Sequence, residues 1–208
     1  MNDLTKDDLI QIHKRIQERF QTTAGIREPG LVSSIVQRPN QVLYGKETFP
    51  DIYLKAVSLM ESTIRWHAFT DGNKRTGLLA TEQYLKINGY FCLYPVHAVR
   101  FSVIIATTQG TDQKTTDRLV QKIAEWLKNY VCLRNDINRA RQIAFKMSEE
   151  LRPIREMLEK NSNSVEAKNI LDHWLAIDIY PEYRNDMIQV LDFLTEMYEE
   201  ILNDSKIG

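Results

Sequence analysis

An eleven-residue run, His67-Ala68-Phe69-Thr70-Asp71-Gly72-Asn73-Lys74-Arg75-Thr76-Gly77, constrains the chain more than any other stretch. It follows an apolar stretch ending in Ile64-Arg65-Trp66 and leads into Leu78-Leu79-Ala80 through Leu85 and Ile87. That order reads as helix, polar loop, helix. The loop gathers an imidazole, a carboxylate, an amide and two cations around a glycine, more chemistry than a turn requires. The helix after it opens with backbone N–H groups that have no intrahelical partner, which is a ready anion site.

Lys74 and Arg75 stand at the start of that helix. A cation there is mildly unfavourable on its own, so two of them make sense when an anion sits beside them. Gly72 lets the backbone approach a ligand or adopt a conformation closed to other residues. Asn73 does not titrate and serves to hold something by hydrogen bonds. Asp71 is either a helix N-cap or a ligand for Mg²⁺, the metal that normally accompanies a polyphosphate. His67 is the one group here whose ordinary pKa suits proton acceptance near neutral pH. The reaction class that follows is transfer of a phosphorus-centred group from a nucleotide to an alcohol, with His67 taking the proton. Each residue alone has an ordinary reading, such as a turn, a cap or a core histidine. The combination carries the inference.

The rest of the chain is helical in pattern. Thr5 with Asp8 has capping-box spacing, and Leu9, Ile12, Ile16 and Phe20 repeat at helical intervals. A turn is expected at 25–30 and a short helix at 31–36. Residues 38–49 read as a long loop or small hairpin around Gly45, the only place where strand is expected. Pro50 suits the first turn of the next helix, whose stripe is Tyr53, Val57, Met60 and Ile64. Gly89 is expected to close the helix after the loop. Further helices are expected from Pro95 to Thr107 and through Leu119, Ile123, Trp126, Leu127 and Tyr130. Between Gly110 and Gly208 there is no glycine, so the second half should be nearly all helix. Beyond Cys132 to Arg134 the pattern changes. Ile137, Ala140, Ala144, Met147, Leu151, Ile154 and Leu158 step by threes and fours, with a kink or break expected at Pro153. The run 161–164 interrupts, and Met187, Leu191, Leu194, Tyr198 and Ile201 form a last stripe.

A net charge of −1 over 208 residues gives no nucleic-acid signal. No apolar run is long enough to span a membrane and the start lacks a signal-peptide pattern, so a cytoplasmic protein is expected. Cys92 and Cys132 are read as buried thiols, not a disulfide framework. His13, His97 and His173 lack partners at metal-ligand spacing and are read as structural.

The motif His67-x-Phe69-x-Asp71-Gly72-Asn73-Lys74-Arg75 resembles the active-site loop of the Fic/Doc family, and within it the Doc (death-on-curing) branch. Residues 4–13 and 25–31 resemble that family's N-terminal region, and Leu85-x-x-Asn88-Gly89-Tyr90 the end of its central helix. The resemblance covers residues 4–130. It implies an all-α fold: a compact Fic/Doc-type helical bundle with a small flap hairpin or loop. A catalytic domain at 1–132 would be followed by a helical extension at 133–208 of unknown role. It implies that His67 activates a Ser, Thr or Tyr hydroxyl of a target protein, with ATP as nucleotide substrate. It places Mg²⁺ on Asp71, the phosphates on Gly72, Asn73, Lys74 and Arg75, and makes Phe69 the anchor of the loop. Val42, Leu43, Tyr44 and Gly45 fall in the flap that would pair with an extended target segment.

Departures from the commoner Fic pattern are Ala68 for proline, Lys74 for glycine and Leu78 for a second arginine. Lys74 and Leu78 resemble the Doc branch, which implies a toxin that transfers phosphate from ATP. AMP transfer (AMPylation) is the alternative, and a catalytically silent binding module the second. Hydrolysis of a small phosphate ester would need more metal ligands than one Asp and one His. Ser162-x-x-x-Glu166 and Thr195-x-x-x-Glu199 come near the family's inhibitory motif but fail at Ala167 and Glu200. A small antitoxin partner acting in trans is the expectation instead. Whether the chain forms a homo-oligomer stays open. Arg134, Arg139, Arg141, Lys146, Arg152, Arg155 and Lys160 form a basic run, and Glu196, Glu199 and Glu200 an acidic one, both read as solvated faces.

Overall fold

The computed structural model describes residues 1–160 except 21, 22, 24, 96, 97 and 109–111. The expectations at His97, His173, 161–164, the last stripe and the two near-inhibitory motifs lie outside the described residues. The described chain holds seven helices and four short strands, so the all-α expectation stands. It divides into two compact units: Met1–Cys92 with Ser102–Val131, and Leu93–Phe101 with the chain from Cys132 onward.

Within the first unit, helix α1 (Lys6–Phe20) starts at the expected capping box. Thr5 N–H donates to Asp8 Oδ2 at 2.8 Å, and Asp8 N–H donates to Thr5 Oγ1 at 3.1 Å. The Thr5 hydroxyl, donating to Asp8 Oδ2 at 2.6 Å, and then the Thr5 N–H hold the Asp8 carboxyl below its ordinary range. Leu9, Ile12, His13 and Ile16 form its buried stripe. Helix α2 (Pro29–Gln37) begins on a proline, whose missing N–H is not needed there. The 3₁₀ turn Arg38–Asn40 leads into a hairpin of β1 (Val42–Leu43) and β2 (Lys46–Glu47), antiparallel, with Val42 opposite Glu47. Tyr44 and Gly45 both have positive φ, 51° and 74°, the signature of a two-residue hairpin turn matched to strand twist.

Helix α3 (Ile52–Arg65) is capped by Asp51, whose carboxylate accepts from Leu54 N–H at 2.8 Å. Pro50 therefore precedes the cap instead of opening the helix. The expected stripe is too narrow: every residue from Lys55 to Ile64 is buried. Its serines and threonine bear this because their hydroxyls turn back onto the helix. Ser58 donates to Lys55 O at 2.8 Å, Ser62 to Ser58 O at 2.8 Å and Thr63 to Leu59 O at 2.7 Å. Helix α4 (Asn73–Ile87) lies against α3. Its buried face is Gly77, Ala80, Thr81, Tyr84 and Leu85, with Leu78 and Leu79 at its margins. A Cβ on Gly77 would stand 2.7 Å from Ile64 Cγ1 and 3.2 Å from Met60 O, so glycine sets how closely the two helices approach. Gly89, φ 87°, follows the C-cap as expected, its N–H donating to Lys86 O at 3.1 Å.

Strands β3 (Tyr90–Cys92) and β4 (Val131–Leu133) correct the expectation that strand is confined to 38–49. Three-residue strands are too short to show alternation. Helix α5 (Ala98–Thr107) starts three residues later than expected. Asp112 caps α6 (Gln113–Leu127), accepting from Thr115 N–H at 2.9 Å. In the second unit α7 (Ile137–Lys160) buries Ala140, Ile143, Ala144 and Met147. It runs through Pro153 without a break. Cys92 and Cys132 are buried free thiols. No helix among the described residues is long and apolar enough to cross a membrane.

Candidate active site

The loop between α3 and α4 is built by two backbone reversals. Trp66 caps α3, its N–H reaching Ser62 O at 3.0 Å. His67 then takes φ 51°, a left-handed conformation uncommon for a residue with a side chain. At the other end Gly72 takes φ 74° and caps α4. Between them the chain runs extended against the segment before α2. Ile26 and Phe69 form an antiparallel bridge. Arg27 and Glu28 N–H both donate to Ala68 O, at 2.8 and 3.2 Å, and Thr70 N–H donates to Gly25 O at 3.0 Å.

Phe69 is fully buried. The ring of His13, from α1, stacks on it at 3.8 Å between centroids and 17° between planes. His13 Nδ1 lies 3.1 Å from Thr76 Oγ1, while its buried Nε2 has no protein partner. Burial drives the His13 pKa from 6.5 down to about 4, with the Asp71 charge opposing. His13 is thus structural, as the sequence suggests, but its place is directly beneath the loop. Its spacing from Leu9 on the buried stripe is the signal for that.

Asn73 does not point outward. Its side-chain oxygen accepts from Phe69 N–H at 3.1 Å and its amide nitrogen donates to Phe69 O at 2.9 Å. The side chain expected on a phosphate is engaged in closing the loop, which leaves its backbone N–H for an anion. Arg75 is nearly buried, with its guanidinium 4.7 Å from the centre of the Phe20 ring. Asp71 is exposed, and one of its oxygens accepts from Gly72 N–H. No cluster of three or more metal-ligating side chains occurs among the described residues.

His67 is exposed at the rim. Partial burial lowers its pKa, and the charges of Arg27 and then Lys74 lower it further. All three favour the neutral imidazole, the form that accepts a proton. Arg27 is a residue that the motif does not contain. A groove of about 590 Å³ opens beside the neighbouring Trp66, lined by Ser34, Gln37, Arg38 and Gln41 among others.

The hairpin residues Val42, Leu43, Tyr44 and Gly45 are all exposed. The root of the hairpin is tied to α3 by the buried Lys55 amine. It donates to Pro39 O at 3.2 Å and Asn40 Oδ1 at 3.3 Å, and pairs with Glu47 at 3.4 Å.

Residues 3–85 match the sequence model of the Fic/DOC family. Over 64 residues the chain is 42% identical to "Toxin Doc" of Mycolicibacterium smegmatis (strain ATCC 700084 / mc(2)155), a match covering 31% of this chain and 49% of that protein. Over 89 residues it is 29% identical to "Protein kinase doc" of Escherichia phage P1, covering 43% of this chain and 70% of that one. The chain therefore spans about half the length of the first relative. The matched region contains α1, α2, the hairpin, α3 and the loop that opens α4, so the similarity to the Fic/DOC family rests on residues 3–85.

Proposed function

We propose that the chain is a protein-modifying transferase that moves the γ-phosphoryl group of ATP to a Ser, Thr or Tyr hydroxyl of a target protein, as a Doc-like toxin. The observation that carries this reading is the setting of His67. An exposed imidazole held neutral sits at the rim of a loop that ends in a helix N-terminus flanked by Lys74 and Arg75. A base beside an anion site is what this reaction needs, since its catalysis is mostly positioning and charge stabilisation.

In this reading His67 takes the proton of the target hydroxyl as its oxygen bonds to the γ-phosphorus. The bond from that phosphorus to the β–γ bridging oxygen breaks, and ADP leaves. The first-turn N–H groups of α4, with Gly72 giving close backbone approach, bind the phosphates together with Lys74 and Arg75. Asp71 offers one exposed carboxylate, which fits Mg²⁺ held jointly by protein and substrate phosphates. That ion would supply neutralisation of phosphate charge. The exposed hairpin at Val42–Gly45 would take an extended target segment along its edge. The name of the phage relative, a protein kinase, favours phosphate over AMP. That of the mycobacterial relative, a toxin, favours a small antitoxin protein as partner.

The test is incubation of the purified chain and its His67→Ala variant with lysate, Mg²⁺ and ATP labelled on either the γ- or the α-phosphate. Transfer of the γ-label alone, abolished by His67→Ala, is the expected result. Transfer of the α-label makes the reaction AMPylation. Nucleotide binding with neither label moved makes the chain a binding module.

A further inference from the structure

We propose that Arg27 is a phosphate-binding residue of this site, supplying from the segment before α2 the guanidinium that α4 lacks at Leu78. The inference rests on the transferase reading above. Arg27 lies outside the helix-loop-helix motif, yet its backbone N–H donates to Ala68 O at 2.8 Å, which fixes it beside the residue that follows His67. Its neighbours fix it from both sides. Ile26 is bridged to Phe69, and Glu28 N–H donates to the same Ala68 carbonyl at 3.2 Å. The backbone is pressed onto the loop, for a Cβ on Gly25 would stand 2.7 Å from Thr70 Oγ1.

The side chain of Arg27 is exposed, and of the two cations acting on His67 it acts more strongly than Lys74. Two cations beside a proton acceptor weaken it as a base. The arrangement becomes productive when an anion arrives with the substrate and offsets their charge. A carboxylate on a target protein would satisfy Arg27 alone. A polyphosphate meets Arg27, Lys74 and the positive end of α4 together, and the forked guanidinium suits phosphate oxygens. The observations therefore favour the nucleotide.

Calorimetric titration of the whole chain with the magnesium complex of β,γ-imido-ATP tests this, using wild type, Arg27→Ala and Arg27→Lys. Arg27→Ala is expected to weaken binding roughly tenfold or more, with partial recovery in Arg27→Lys. As an exposed residue, Arg27 should leave the melting temperature nearly unchanged when replaced. Binding by Arg27→Ala within about twofold of a wild type that does bind overturns the assignment and leaves the transferase reading intact. A rise only in KM for the target protein also overturns it, giving Arg27 to target recognition. Failure of the wild type to bind overturns both.

Discussion

The side-chain amide of Asn73 closes on both backbone groups of Phe69, accepting from its N–H and donating to its carbonyl within a buried space. One residue thereby fixes the width of the loop that carries His67 and Asp71. Asn73→Ala leaves two buried backbone groups without partners and should lower stability by about 2–3 kcal/mol. Asn73→Asp keeps the acceptor but sets a carboxylate oxygen against the Phe69 carbonyl, so a comparable loss is expected. Chemical denaturation measures the stability. Transfer activity should fall further than the unfolded fraction accounts for, because the loop widens in the folded protein.

Gly77 sets the separation of α3 and α4. Gly77→Ala should cost about 1–3 kcal/mol through overpacking against Ile64 and Met60 O. Ile64→Ala removes the side chain in the way, so the double variant should be less unstable than the two single losses summed. A double-mutant cycle with additive energies would refute the contact.

Acid should destabilise the protein through His13. Its folded-state pKa of about 4 lies below the ordinary 6.5, so the unfolded chain binds more protons between these values. Stability is complete above pH 6.5 and falls as pH drops toward 4, by up to about 3 kcal/mol. Glu82 acts in the opposite sense. Burial raises its pKa from 4.5 to about 7, so its contribution improves as pH falls through that range. His13→Phe keeps a ring against Phe69 and removes the titration. Melting temperatures from pH 7 to 5 should fall less in this variant than in the wild type.

Lys55→Met should loosen the flap at its root, removing the amine that holds Pro39 O, Asn40 and Glu47. The expected signature is a higher KM for the target protein with nucleotide affinity unchanged. Hydrogen exchange at Val42–Glu47 should accelerate. Equal exchange in both proteins would show that the hairpin stands without Lys55.

What was legible in the sequence was local. Thr5 and Asp8, three residues apart, cap α1. Tyr44-Gly45 makes the hairpin turn and Gly89 closes α4, each from neighbouring residues alone. The loop chemistry was legible in residue types, though not in direction: nothing local tells that the Asn73 amide turns back onto Phe69. Pro50 and the stripe on α3 misled because a proline before a cap looks like one after it, and because a helix enclosed on every side buries its polar residues too. Arg27 and His13 reach the loop only through tertiary pairing across forty and more positions, which no periodicity records.

The bridge between Ile26 and Phe69 joins positions 43 apart. The loop of residues 67–77 is thus no portable cassette. Grafted between two other helices, residues 67–77 would lose the strand that straightens them and the ring of His13 beneath Phe69. Closing a loop of that length costs chain entropy before the contact repays it. A growing chain would complete its N-terminal helices first and acquire a shaped site only when the segment at Gly25–Glu28 captures the loop. Under the proposed transferase reading, partly folded copies would then be inert.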